Sequence, residues 1–139
     1  MPQLLQYLSR HPLLVSLTML AAAALLFYEL QLSRRNQAAL GTQQAVRLMN
    51  QGAAVLDVRD STAFAAGHLS NARNVPVDTL AAAESSLQRF KDRPVLVYCE
   101  SGSRAATALT QLRALGFSQV YNLRGGVAAW RSDQLPLVK

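Results

Sequence analysis

The chain has 139 residues, enough for one domain of ordinary size, with 50% hydrophobic residues and a formal net charge of +6. A mean hydropathy of +0.10 beside a pI near 10.3 excludes a disordered tail, and length and cysteine content exclude a multidomain enzyme and a disulfide-rich secreted module. The single cysteine, Cys99, has no partner for an internal disulfide, and it excludes zinc or iron–sulfur sites built from cysteines alone.

The apolar excess lies near the N-terminus. After a short flank, residues 1–12, the stretch 13–28 carries no charge, and Leu30 and Leu32 extend it past Glu29. Residues 13–32 are predicted to form one transmembrane helix, matching the roughly 20 residues that a bilayer core requires. Glu29 near its end sits at headgroup level, Tyr7 and Tyr28 suit the two interfaces, and Pro12 fits the first helical turn. The run is apolar on all sides, unlike a helix lying on a membrane surface. No pair of small residues suited to signal-peptide cleavage directly follows it, and so short a chain has nothing to bury it as a core helix. Arg34, Arg35 and Arg47 downstream outnumber Arg10 upstream. That bias predicts a single-pass protein with its C-terminal domain on the cytoplasmic side, a compartment that suits an unpaired thiol. The lipid bilayer is then an expected partner, with Arg34 and Arg35 near anionic headgroups.

Residues 33–41 are polar and small, a linker to a domain at 42–139. Thr42 is expected to cap a helix reaching about residue 51, ended by Gly52. Residues 54–59 read as an interior parallel strand, 61–67 as a short helix, and 72–75 as a strand stopped by Pro76. Residues 78–90 have helical composition, with Leu80, Leu87 and Phe90 for the core. Residues 95–98 give the strongest strand signal and lead into the loop 99–104. A helix then runs through Ala105, Leu109, Leu112 and Leu115 to Gly116, a C′ residue. A strand at 120–123, the Gly125-Gly126 pair and a short helix with Trp130 close the chain. The alternation predicts an α/β fold, a mostly parallel central sheet flanked by helices.

Cys99 lies at the C-terminal edge of the predicted central strand, where open α/β sheets carry their ligand sites. Ser101, Gly102 and Ser103 are small enough for successive N–H groups to converge, forming an anion-binding nest that opens a helix. Such a field favours the thiolate, the reactive form of cysteine. Arg104 places a positive charge in the first helical turn, against the helix dipole, and anion binding accounts for it. A lone cysteine also fits a small buried hydrophobe. No Lys-Ser or Lys-Thr pair follows the loop, which sets a nucleotide-binding P-loop aside.

Several pieces in order resemble the rhodanese-like, or sulfurtransferase, domain family: Asp57-Val58-Arg59-Asp60; Phe64, Gly67-His68, Ala72, Asn74 and Pro76; the Cys-x-x-Gly-x-Arg loop 99–104; and Gly116-Phe117, Asn122-Leu123, Gly125-Gly126 and Trp130. The resemblance covers 42–136, and an anchor ahead of one such domain is similar to a group of small bacterial inner-membrane proteins. It implies that Cys99 takes sulfane sulfur from thiosulfate or a persulfide donor and passes it to a thiol acceptor. The persulfide would be held by loop N–H groups of Glu100, Ser101, Gly102 and Ser103 and by Arg104. No cofactor and no metal are implied. Asp57 and Arg59 read as a structural ion pair near the loop, Asn122 and the glycine pair as shaping it, His68 as a structural histidine and Trp130 as core. The Cys–Arg spacing is one residue shorter than in cysteine phosphatases, a ring better fitted to one sulfur atom than to phosphate. Glu100 departs from many thiosulfate-using members of that family, which carry neutral or basic residues around the nucleophile, and an acid there repels a dianion. The alternative is a non-catalytic adaptor that binds another membrane protein through its surface or its anchor helix, whose small residues Ala21 to Ala24 permit close helix contact. The arginines are scattered without interleaved aromatics, which speaks against a nucleic-acid partner.

Overall fold

The computed structural model describes residues 2–139; the side chains of residues 2, 4, 5 and 35–37, and with them the Arg35 charge counted in the membrane flank, lie outside the described residues. The chain forms two compact units, Met1–Gln37 and Ala38–Lys139. The first holds α1 (Pro2–Arg10) and nearly all of α2 (Pro12–Ala38). Pro12 opens α2, where its missing N–H costs nothing. Within α2, Pro12–Arg34 is long and apolar enough to cross a membrane by length and composition, and none of its most apolar stretch is buried in the protein. The hydroxyls on this helix bond inward: Ser16 donates to the Leu13 carbonyl at 3.0 Å and Thr18 to that of Val15 at 2.9 Å. The segment expected as a linker, 33–41, is instead helix to Ala38 and then a strand, β1 (Ala39–Leu40).

The second unit is built on a five-stranded, all-parallel sheet in the order β1-β5-β4-β2-β3, from β2 (Ala54–Asp57), β3 (Ala72–Asn74), β4 (Val95–Tyr98) and β5 (Val120–Leu123). Every residue of β2 and β4 is buried, which is why both read as continuous runs without polar alternation. Two apolar layers cover the faces. Helix α6 (Ser103–Ala114) packs with Leu80, Leu87 and Phe90 over Leu56, Val95 and Val97, while α3 (Thr42–Asn50) and α7 (Gly126–Ser132) cover Val55, Leu96 and Tyr98. Ala105, Ala108, Leu109 and Leu112 form the buried stripe of α6 at helical spacing.

Two local expectations need correction. Gly41, not Thr42, is the N-cap of α3: its N–H donates to Gln44 Oε1 at 3.2 Å, and Thr42 gives its hydroxyl to the Asp133 carboxylate. The helix expected over 78–90 is broken into a 3-10 turn (Val77–Thr79), a single turn α5 (Glu84–Leu87) and a second 3-10 turn (Gln88–Phe90). Leu80, Leu87 and Phe90 are buried as anticipated, so tertiary anchoring at three points overrides the helical composition between them. The remaining helix, α4 (Ser61–Ala66), is capped by the Asp60 carboxylate, which accepts from the Ala63 N–H at 2.8 Å.

Candidate active site

Register brings the C-terminal ends of three strands to one level. Asp57 pairs with Tyr98, and Asn122 lies beside Val97, so Cys99 emerges between β2 and β5. The two-residue period of β4 turns Val95, Val97 and Cys99 toward the α6 layer and Leu96 and Tyr98 toward the other. Cys99 is 2% exposed, beneath the start of α6.

The loop wraps the sulfur. Gly102 adopts φ +103, ψ −13, a left-handed conformation that a side chain resists. Its N–H donates to Cys99 Sγ at 3.0 Å, and the Ala105 N–H donates at 3.4 Å. Ala105 lies in the first turn of α6, where an N–H has no partner within the helix. Two backbone donors and the positive end of a 12-residue helix thus meet at one sulfur. Ser101 and Ser103 bond to each other, hydroxyl to hydroxyl at 3.3 Å, on the exposed side of the loop. Arg104 is exposed, with no carboxylate within 4.0 Å among the described residues.

At the end of β2, Asp57 and Arg59 form a buried pair: Arg59 Nε reaches both carboxylate oxygens at 3.0 Å and Nη2 reaches Oδ2 at 2.6 Å. Nη2 also donates to the Gly67 carbonyl at 2.7 Å. Burial opposes the guanidinium charge, but the hydrogen bond and field of Asp57 outweigh it and hold the Arg59 pKa above its ordinary value. Nη1 extends to Glu100 Oε2 at 3.3 Å, and Arg131 Nη1 donates to Glu100 Oε1 at 2.6 Å. The acid next to the nucleophile is therefore gripped by two arginines. Tyr98 accepts the Leu69 N–H on its hydroxyl at 3.1 Å, and burial pushes its pKa up despite that bond. Asp60 is held below its ordinary value by the Ala63 N–H and, to a smaller degree, by the charge of Arg104.

From the other side, Asn122 Nδ2 donates to the Gly102 carbonyl at 3.3 Å, and its buried Oδ1 has no partner. Helix α7 closes the loop: Val127 N–H donates to Cys99 O at 2.9 Å and Ala128 N–H to Glu100 O at 3.1 Å. Gly126, at φ +60, approaches so near that a Cβ there would lie 2.5 Å from Glu100 O and nearer still to Cys99 O. Trp130 is buried, with Nε1 donating to Pro136 O at 3.0 Å. His68 stacks on Phe64 with ring centroids 3.8 Å apart, and its Nδ1 lies 3.0 Å from Phe64 O.

The family model for the rhodanese-like domain matches residues 41–133. The chain belongs to the rhodanese-like domain family. Among curated relatives, YibN of Escherichia coli K12 is 31% identical over all of this chain and 99% of its own length. The thiosulfate sulfurtransferase GlpE of Pseudomonas putida GB-1 is 41% identical over 65% of this chain and 81% of its own. Among solved structures, a rhodanese-related protein from Thermoplasma volcanium superposes with a TM-score of 0.65 at 26% identity, over 72% of this chain and 96% of that one. This rhodanese-like domain is thus related to thiosulfate sulfurtransferases.

Of the residues marked by the sequence, Gly102 bonds to the Cys99 sulfur, Asn122 bonds to Gly102, and Asp57, Arg59 and Glu100 are joined by ion pairs. Ser101, Ser103 and Arg104 are exposed, and no bond from them to the sulfur is found among the described residues. Two contacts were not anticipated, those of Ala105 and Arg131. The first was recoverable, since a helix starting at Ser103 leaves the Ala105 N–H free to donate; the second is a contact across 31 residues that leaves no trace in local spacing.

Proposed function

We propose that this protein is a membrane-anchored sulfurtransferase in which Cys99 carries sulfane sulfur from thiosulfate or a persulfide donor to a thiol acceptor. The observation that carries this reading is the pair of N–H groups, Gly102 at 3.0 Å and Ala105 at 3.4 Å, aimed at Cys99 Sγ. Hydrogen-bond donors fixed on a sulfur stabilise it as an anion, and they need no reorganisation when charge develops there. The Cys99 sulfur forms a bond to the terminal sulfane sulfur of the donor. The bond from that sulfur to the rest of the donor breaks, and its electron pair leaves with sulfite or a thiolate. An acceptor thiolate then attacks the outer sulfur and releases the Cys99 thiolate. Arg104 at the loop's exposed side attracts the anionic donor, while Asn122 and the Asp57–Arg59 pair hold the loop in shape. Relationship to thiosulfate sulfurtransferases supports the reaction class.

The anchor is α2. Its apolar stretch of 23 residues spans about 34 Å as a helix, against about 30 Å of bilayer hydrocarbon. The Arg34 side of the span faces the cytoplasm by the positive-inside rule, which puts the sulfurtransferase domain there as a single-pass inner-membrane protein.

The test is intact-mass analysis of the full chain in detergent micelles after treatment with thiosulfate or a persulfide. One added sulfur, about 32 Da, is expected, with loss of the adduct in Cys99→Ala. No adduct from either donor on folded protein overturns the enzymatic reading and favours the adaptor. Digestion of the domain from the outer face of sealed spheroplasts overturns the orientation.

A further inference from the structure

We infer that Glu100 and Arg131 act as a charge selector at the Cys99 site, favouring sulfur donors of low net charge over the thiosulfate dianion; the inference rests on the sulfur-transfer reading above. Glu100 follows the nucleophile directly, and its carboxylate is held between the buried guanidinium of Arg59 at 3.3 Å and Arg131 of α7 at 2.6 Å. Arg59 is already committed to Asp57 at 2.6 Å, so the two arginines that hold Glu100 are matched by two carboxylates. Arg104 is left as the cation at the loop without a carboxylate within 4.0 Å among the described residues. One positive charge held in no ion pair, felt by Asp60 only through its field, suits a donor presenting a single negative sulfur. It does not balance a dianion, which also meets the half-exposed Glu100 carboxylate on its approach.

Arg131 decides how strongly that carboxylate is felt. Its side chain is half exposed and makes its one ion pair with Glu100 among the described residues. It therefore acts through Glu100 as a positioning residue. A contact that merely braced the loop would alter all donors alike, whereas a selector alters their ratio. The chemistry at sulfur is the same for both donor classes: Cys99 gains an S–S bond and the donor remainder leaves with the electron pair, as sulfite or as a thiolate.

The experiment measures kcat/KM of the full chain in micelles for thiosulfate (net charge about −2) and for cysteamine persulfide (net charge about zero) at low and high salt. Removing the negative charge of the residue next to the nucleophile is expected to raise the thiosulfate-to-persulfide ratio about five-fold in Glu100→Gln at low ionic strength. Arg131→Ala lowers the ratio by a similar factor, Arg131→Lys restores it, and both shifts shrink at about 1 M salt, where the screening length falls to about 3 Å. The effect resides in KM for thiosulfate. A ratio unmoved by Glu100→Gln and Arg131→Ala, or shifts that persist at high salt, overturns the selector while leaving sulfur transfer standing. Wild-type protein that takes sulfur from neither donor overturns sulfur transfer itself, and the selector with it.

Discussion

A glycine series separates backbone strain from steric closure at the Cys99 loop. Gly41, Gly52 and Gly126 all lie in the rhodanese-like domain, and Ala at each meets different surroundings. At Gly41 an added Cβ has nothing within 4 Å and the backbone is extended; at Gly52 there is again open space, but φ is +89. At Gly126 φ is +60, and the Cβ would press on the carbonyls of Cys99 and Glu100, backbone atoms that cannot swing aside. Gly41→Ala is expected to be neutral. Gly52→Ala costs the left-handed conformation alone, about 1–2 kcal/mol. Gly126→Ala adds an overpacking cost of about 1–3 kcal/mol, for about 2–5 kcal/mol in all. Urea unfolding of the full chain in micelles reads this directly, because Trp130 is the only tryptophan and is buried in the domain. Gly126→Ala also separates α7 from the loop, so it is expected to lose sulfur loading on Cys99 even where the protein remains folded. If Gly126→Ala costs no more than Gly52→Ala, the close approach of α7 is not what fixes the loop.

Asp57→Asn leaves Arg59 buried without its carboxylate and is expected to destabilise the domain by about 3–5 kcal/mol, measured by the same unfolding assay. Tyr98→Phe removes the acceptor of the buried Leu69 N–H and is expected to cost about 1–3 kcal/mol. Because burial raises the Tyr98 pKa above its ordinary value of 10, the folded state keeps the phenol neutral while the unfolded chain ionises. Stability from this group is therefore full below pH 10 and declines above it, and a pH series of unfolding midpoints should show a shallower alkaline decline in Tyr98→Phe. Asn122→Ala loses the hydrogen bond to Gly102 O, costs about 1 kcal/mol, and is expected to slow the appearance of the Cys99 adduct in stopped-time mass measurements.

The parts of this molecule legible from residue order are those whose causes are local. β4 announces itself because a strand buried on both faces must be apolar throughout, and the following Gly102 marks where the chain turns left-handed before α6. The placement of Cys99 at a helix start follows from those two facts. What escaped has distant causes. Thr42 is an ordinary N-cap by type, but its hydroxyl is drawn to Asp133, 91 residues away, and Gln44 satisfies the Gly41 N–H instead. Residues 78–90 carry helix-forming alanines, yet the positions of Leu80, Leu87 and Phe90 under the sheet set their path. The charge of Glu100 is legible beside the nucleophile, but nothing near it in sequence reveals Arg59 and Arg131 closing on its carboxylate.

The bonds from α7 to the Cys99 and Glu100 carbonyls also bear on how this site can vary. Each peptide plane has its carbonyl and its N–H on opposite edges, so fixing those two oxygens toward α7 points the following amides of Glu100 and Ser101 the other way. The polarity of the loop is thus imposed by main chain from more than two dozen positions downstream, independently of which side chains the loop displays. The two N–H groups that reach Cys99 Sγ, those of Gly102 and Ala105, are main chain as well. Exchanges of side chain at 100, 101, 103 or 104 therefore alter what the loop displays while both donors to the sulfur remain.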